Sequence, residues 1–288
     1  METATTGETG MPEGDTLHRT ARVLSTALSG QRILRAEVDP ARGTPSPERL
    51  EGRVVSSVEA KGKNLLVHLD DGHLLWSHFR MTGSFHVYRP GEPWTRPARQ
   101  RTLALHVERA VAVGFNLPVL EHLTAQQAQR HPQLALLGPD LLSPTFDREA
   151  AVARFRAEPL LSLGEALLDQ RLAAGVGNVY KSEVLHLCGM DPFSTVSAAT
   201  DAQLAELLGR ARALMLRNLD GRMRRTAHGP SGERYRVYGR EGLPCPSCDT
   251  PIEMVRQGAA GRSTYFCPTC QETRVRGRAH AQPYRRGC

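Results

Sequence analysis

Two cysteine pairs, Cys245-Pro-Ser-Cys248 and Cys267-Pro-Thr-Cys270, stand 18 residues apart near the C-terminal end of the sequence. Each pair suits a tight turn, and two such turns on facing hairpins bring four thiolates to the corners of a tetrahedron. One structural Zn²⁺ held by Cys245, Cys248, Cys267 and Cys270 is therefore expected. Four sulfurs leave the metal no open position for water or substrate, so it holds a fold together and does no chemistry. Two disulfides are the alternative; no export segment is recognisable ahead of the pairs, and a reducing cytosol disfavours such bonds. Cys188 reads as a small buried hydrophobe and Cys288 as a tail residue.

The charge is concentrated at the same end. Of the net +7, residues 221–288 carry +8, with 13 Arg against 5 Asp or Glu, and the rest of the chain carries −1. Arginine offers a planar fork to phosphate oxygens, so a basic module beside a zinc ribbon points to a polyphosphate partner. For Arg274 to Arg286 a plain solvated tail is the alternative. Lysine is scarce: Lys61, Lys63 and Lys181 stand against 34 Arg, and two of the three share one turn. A compact ammonium retained in so arginine-rich a chain suggests a specific use there. With 288 residues, 40% of them hydrophobic, the chain can build two domains and a small accessory module. No apolar run approaches membrane-spanning length, and a protein without a membrane partner is expected.

Residues 1–10 are small, polar and patternless, and a leader over 1–11 is expected to be disordered or removed. A helix is expected from Asp15, which can cap it, with Leu17, Ala21, Leu24 and Leu28 on one face and Gly30 after the last turn. Short β-branched runs follow at 54–58, 65–69, 74–77, 103–107 and 111–115, separated by turns such as Lys61-Gly62-Lys63. Their spacing predicts an antiparallel sandwich. After Leu120 the pattern turns helical. Ser162-Leu-Gly-Glu165 reads as a capping box opening a helix through Leu172, and Thr200-Asp-Ala-Gln203 as another opening a helix through Leu219. Between them Gly175-Val176-Gly177-Asn178 breaks the period, and a helix over 179–187 ends at Gly189, the outline of a DNA-binding helical hairpin. Arg222, Arg224 and Arg225 lead into the ribbon. The expected fold is α+β in two domains. An N-terminal antiparallel β-sandwich with a flanking helix occupies 12–122 and a helix-two-turn-helix domain 123–232. A zinc-ribbon β-hairpin follows at 233–273 and a basic tail at 274–288.

Four segments taken together resemble the formamidopyrimidine-DNA glycosylase/endonuclease VIII family: Met11-Pro12-Glu13-Gly14, the hairpin with Lys63, Leu168-Asp-Gln-Arg-Leu-Ala-Ala-Gly-Val-Gly-Asn178, and Arg262-Ser-Thr-Tyr-Phe-Cys267. The likeness runs in order from Met11 to about Gln271. Met-Pro-Glu-Gly-Asp and Val237-Tyr-Gly-Arg-Glu-Gly242 are similar to the actinobacterial endonuclease VIII-like branch. The resemblance implies a base excision repair enzyme, a DNA glycosylase and abasic-site lyase acting on double-stranded DNA with oxidised bases or abasic sites, working as a monomer. It implies Pro12 as nucleophile, Glu13 as the acid that protonates the sugar ring oxygen, and Lys63 as a catalytic lysine at the lesion, with Lys61 the weaker rival. Asn178 and Arg262 would bind flanking phosphates. Arg80 and Met81, in Phe79-Arg80-Met81-Thr82-Gly83, would lie in the loop that fills the void of an extruded base; for Met81 a core position is the alternative.

The residue types suit that chemistry. A free α-amine has a pKa of about 7.7 to 8.0, so part of it is unprotonated near neutrality. A secondary amine forms an iminium that cannot shed its charge by losing an N–H proton, and that sink acidifies the sugar C2′ hydrogens for β- and then δ-elimination. All of this requires Met11 to begin the working chain and be removed. Thr16 stands where other branches carry a further glutamate. The segment 108–116 lacks the Arg-Phe pair that the purine-specific branch inserts opposite the lesion, which tilts the expected substrate toward oxidised pyrimidines. An oxidised-purine glycosylase, or a non-catalytic lesion-binding protein should the leader stay attached, are the alternatives.

Overall fold

The structure, a computed structural model, describes residues 11–39, 45–221, 223–227 and 232–272. The expectations for residues 1–10, Arg222, the tail at 274–288 and Cys288 lie outside them. Helix α1 (Gly14–Leu28) buries Leu17, Ala21, Leu24 and Leu28 along one face, and Gly30 turns the chain away at φ 77°. Asp15 is not its cap. Glu13 takes the N-cap position with extended backbone, and Asp15 lies fully buried in the first turn. The expected role fails because a cap needs an extended backbone and a side chain free to fold back; Asp15 is instead paired with a guanidinium from far along the chain.

Strands β1 (Arg35–Val38), β2 (Val55–Lys61), β3 (Asn64–Leu69), β4 (His73–His78), β5 (Ser84–Tyr88), β6 (Arg101–His106), β7 (Val111–Phe115) and β8 (Val119–Thr124) form two antiparallel four-stranded sheets. Their orders are β1-β6-β7-β5 and β2-β3-β4-β8. The inner faces close with α1 over a core that includes Leu24, Leu28, Ile33, Val55, Leu65, Leu103 and Ala112. The sequence pattern marks five of these strands and misses β1, β5 and β8. β1 has only four residues, and β8 sets Leu120 and Leu123 three apart with Glu121 and His122 between them, a spacing that reads as helix. Pairing with β4, Leu74 opposite Leu123 and Trp76 opposite Glu121, overrides that local preference. The sheet thus runs two residues past 122, and α2 (Ala125–Arg130), opened by a Thr124/Gln127 capping box, follows at once. With α3 (Pro132–Ala135) it covers Leu66, Leu74, Trp76 and Leu123 on the outer face of that sheet.

The helical half comprises α4 (Arg148–Arg156), α5 (Leu163–Leu168), α6 (Asn178–Leu187) and α7 (Asp201–Arg217) around Phe155, Leu167, Tyr180, Val184, Leu208 and Met215. Thr200 and Gln203 complete the expected capping box. At α5 only half of one forms. Ser162 caps the Glu165 amide and donates its hydroxyl to the Glu165 carboxylate at 2.6 Å, and the helix stops at Leu168, four residues short of Leu172. Gln170 accounts for the early stop: its amide donates to the Leu168 and Val176 carbonyls and its oxygen accepts from Gly175 N–H, shaping a loop in place of another turn. α6 is buried at every position from Asn178 to His186, and Gly189 at φ 62° ends it. Strands β9 (Glu253–Gln257) and β10 (Arg262–Phe266) form the ribbon hairpin between the cysteine pairs. Among the described residues no helix is long and apolar enough to cross a membrane.

Candidate active site at the domain junction

The Pro-Glu-Gly segment and the Gly-Val-Gly-Asn turn are two halves of one interface. Gly14 N–H donates to the Gly175 carbonyl at 2.9 Å. A Cβ on Gly14 would stand 2.7 Å from Met215 Cε and 2.9 Å from Gly175 Cα, and one on Gly177 would collide with the Glu13 carboxyl group. Only bare backbone lets the N-terminal segment approach this closely. Glu13, fully buried, reaches across the junction to the N-terminus of α6. Its carboxylate accepts from Gly177 N–H and Val179 N–H at 2.8 Å each, and from Tyr180 N–H at 3.4 Å. Those amides have no partner inside the helix, and the helix dipole favours an anion there.

Arg224 completes the enclosure. Its guanidinium, buried, grips Asp15 through Nε at 3.0 Å and Nη2 at 2.6 Å, donates to Thr16 Oγ1 at 3.0 Å, and donates through Nη1 to the Met11 carbonyl at 3.1 Å. Nη1 also lies 4.0 Å from Glu13 Oε1, and the group stacks 5.1 Å from the Tyr180 ring centre. Burial works against its charge, but Asp15 and Glu13 outweigh burial and hold its pKa well above the ordinary range.

The β2–β3 turn brings Lys63 to the same place. Gly62, at φ 59°, packs against Ala174 and donates its N–H to Asp140 Oδ2 at 2.8 Å, and Asp140 also binds His18 Nε2 at 2.9 Å. Lys63 is thereby half-buried within the field of Glu13. Burial pushes its ammonium down to about 8, against the pull of Glu13 and aided by Arg262 and Arg224. Lys61 points elsewhere, into surface grooves lined by Glu59, His68 and His18. Asn178 opens α6, buried, with Nδ2 3.5 Å from Ser263 Oγ and, among the described residues, no hydrogen-bond partner for Oδ1. Arg262, exposed at the start of β10, adds its field to Lys63 and to Lys181. Arg80, at φ 45°, and Met81, 61% exposed, form the tip of the turn after β4. The exposure of Met81 leaves no room for the core alternative.

Sequence reasoning missed several members. His78 sits at the end of β4, where burial first, then Lys63 and Arg80, push it down to about 4. Lys181, wholly buried, donates to the Ser263 carbonyl at 3.0 Å and Thr264 Oγ1 at 2.7 Å, and burial pushes it down to about 7. The scarcity of lysine was a signal for it. Nothing local marked the Asp15–Arg224 pair.

The ribbon closes on α6. Sγ–Sγ separations are 3.4 Å for Cys248–Cys267, 3.3 Å for Cys248–Cys270 and 3.8 Å for Cys245–Cys270, with all four sulfurs within 4.8 Å of one another. Thiolates bonded to zinc at ~2.3 Å in a tetrahedron stand about 3.8 Å apart, whereas a disulfide needs about 2.05 Å. The donor set therefore fits one structural zinc. Cys188, outside the cluster, is only half-buried, and desolvation pushes its thiol up to about 11.

Fold and site together define a two-domain zinc-ribbon protein with a cluster of buried charges where the domains meet. Models of the formamidopyrimidine-DNA glycosylase N-terminal domain, its H2TH domain, and the zinc finger found in FPG and IleRS match residues 11–118, 137–227 and 242–273. The probable endonuclease 8 2 of Streptomyces coelicolor is 42% identical over 96% of this chain and all of its own length. A DNA-(apurinic or apyrimidinic site) lyase of Mycolicibacterium smegmatis is 36% identical over 91% of this chain and 99% of its own. The crystal structure of the MutM (Fpg) protein from Thermus thermophilus superposes with a TM-score of 0.73 at 32% identity, covering 91% of this chain and 99% of that one. The chain belongs to the formamidopyrimidine-DNA glycosylase/endonuclease VIII family.

Proposed function

We propose that this protein excises oxidised bases, pyrimidines preferred, from double-stranded DNA through a Schiff base on Pro12 and then cuts the strand by β,δ-elimination. Its family makes it a DNA glycosylase and abasic-site lyase of base excision repair. The observation that carries the finer reading is the enclosure of Pro12-Glu13: a carboxylate bound to the α6 N-terminus, next in sequence to the nucleophile, with Lys63 in its field. The family match opening at Met11 accords with a working chain that starts there and loses Met11.

In this scheme the Pro12 nitrogen attacks C1′ of the damaged nucleotide, and the base departs carrying the proton that this nitrogen gives up. Glu13 delivers a proton to the ring oxygen, and the opened sugar is left as an iminium. Loss of a C2′ proton expels the 3′ phosphate, and a second elimination expels the 5′ phosphate. Lys63 assists at the lesion. Asn178 and Arg262 hold flanking phosphates, and the void left by the extruded nucleotide is filled from Arg80-Met81. Cys245, Cys248, Cys267 and Cys270 hold the zinc, which keeps the ribbon folded and takes no part in the reaction. The pyrimidine preference rests on the end of β7. Phe115 is buried, and the segment 108–116, which includes β7, carries no Arg-Phe pair to present to a purine lesion's partner. Domain boundaries near 122 and 232, a monomeric state and a cytoplasmic location belong to the same proposal.

Borohydride trapping on a duplex with an abasic site tests it. Protein beginning at Pro12 should be captured covalently, and protein retaining Met11 should not; equal capture of both, or none of either, would defeat the assignment. Thymine-glycol and 8-oxoguanine duplexes cleaved in parallel should favour the first.

A further inference from the structure

The buried Asp15–Arg224 pair stands beside the nucleophile, yet none of the steps above uses it. Arg224 holds the N-terminal segment from both sides of Pro12: it donates to the Met11 carbonyl before it, and to Asp15 and Thr16 after it. An amide oxygen lies about 2.3 Å from its own nitrogen. Nη1, 3.1 Å from that oxygen, is therefore within about 5.5 Å of the Pro12 nitrogen. Removing Met11 takes away the carbonyl and leaves an amine in its place, facing the same guanidinium.

We infer that Arg224 is a positioning residue for the Pro12 amine, fixing its segment through Asp15 and Thr16 and, once Met11 is gone, placing positive charge beside the nitrogen so that it stays unprotonated near neutral pH. The inference rests on Pro12 being the nucleophile.

The neighbouring charges favour this sign. Glu13 spends its oxygens on three α6 amides, and Asp15 is gripped by the far edge of the Arg224 fork. From α1, Arg19 lies 4.0 Å from Asp15. Lys63 from the hairpin, Lys181 and Tyr180 from α6, Tyr238 from the segment ahead of the ribbon, and Arg262 from β10 complete the groups in the field of this cluster. Among the described side chains it is the Nη1 end of Arg224 that hydrogen-bonds the backbone at Pro12. A unit charge at about 5 Å in an effective dielectric of about 20 to 40 shifts an amine by roughly one to two pH units.

The test is the pH dependence of single-turnover imine formation, read by borohydride trapping, in zinc-loaded protein beginning at Pro12. Arg224→Gln alone would strand a buried carboxylate and endanger folding. The informative variants are Asp15→Asn, which keeps the guanidinium and removes its counter-charge, Asp15→Asn/Arg224→Gln, which neutralises both, and Arg224→Lys, which keeps the charge. The midpoint should fall in Asp15→Asn, stand about one unit or more higher in the double variant than in Asp15→Asn, and stay within a few tenths of wild type in Arg224→Lys. A purely structural role for Arg224 would lower the amplitude and leave the double variant's midpoint at that of Asp15→Asn, overturning the inference while wild-type trapping still upholds Pro12. No trapping by the wild type would remove Pro12 itself. Should the double variant not fold, Asp15→Asn/Arg224→Met takes its place: a midpoint above that of Asp15→Asn supports the inference, and an equal or lower one overturns it.

Discussion

The N-terminal segment and the tip of the zinc ribbon are both mounted on α6, and they are held by opposite means. The N-terminal end of the helix carries Glu13 on its free amides, sealed from water and backed by the buried Asp15–Arg224 pair. Later turns reach the ribbon. Lys181 binds Ser263 and Thr264, and Ser182 accepts from Tyr265 N–H at 3.3 Å. Glu183 accepts from Arg236, Val237 and Tyr238 N–H at 2.8 to 2.9 Å, and His186 Nε2 lies 3.4 Å from Cys245 Sγ. One region buries its charges, which under the proposed mechanism keeps the reacting groups in fixed positions and strong fields. The other uses a helix face and the zinc ribbon to hold Arg262 out in solvent, where the same proposal places a phosphate.

The sharpest way to break this contrast is to remove the metal. Chelation, or Cys267→Ser, should unfold the ribbon and abolish DNA binding in a titration, while the sandwich and helical core keep most of the helical dichroism. Unchanged affinity would show that the ribbon is not what grips the duplex. Glu13→Gln attacks the other region. Imine formation should drop by about a hundredfold to ten-thousandfold with DNA affinity nearly unchanged. Because both Glu13 oxygens accept backbone N–H groups, the glutamine amide must face a donor, and stability should fall by about 1 to 3 kcal/mol in thermal melts. Arg262→Ala should weaken binding about tenfold for every sequence and lower the slope of log affinity against log salt by about one. The smallest effect is in pH. With Lys63 at about 8, its positive charge is present below that value and lost as pH rises through it, so affinity should decline modestly between about pH 7 and 9. Lys63→Arg, charged throughout, should flatten that limb.

Legibility also differs between the two regions. The ribbon could be read directly, because ligand spacing along the chain sets ligand geometry in space. The central strands could be read because β-branched alternation reports a half-buried face. β8 could not, since its strand state depends on the register with β4, and Asp15 was mistaken for a cap because its partner lies 209 residues away. Gly14 and Gly177 were visible as motif letters, but the steric reason for them appears only where Gly175, Met215 and Glu13 close in.

By itself, then, the sequence determined the zinc site, the two-layer β half, the Thr200-capped helix and the family. These rest on chemistry between residues a few positions apart, or on a periodic pattern. Which charges are buried together, and so which lysines burial pushes down, which arginine grips Asp15 and the Met11 carbonyl and which amides hold Glu13, was decided by the tertiary structure alone. The energy of a buried charge depends on the partner that packing brings opposite it, and sequence distance carries no record of that.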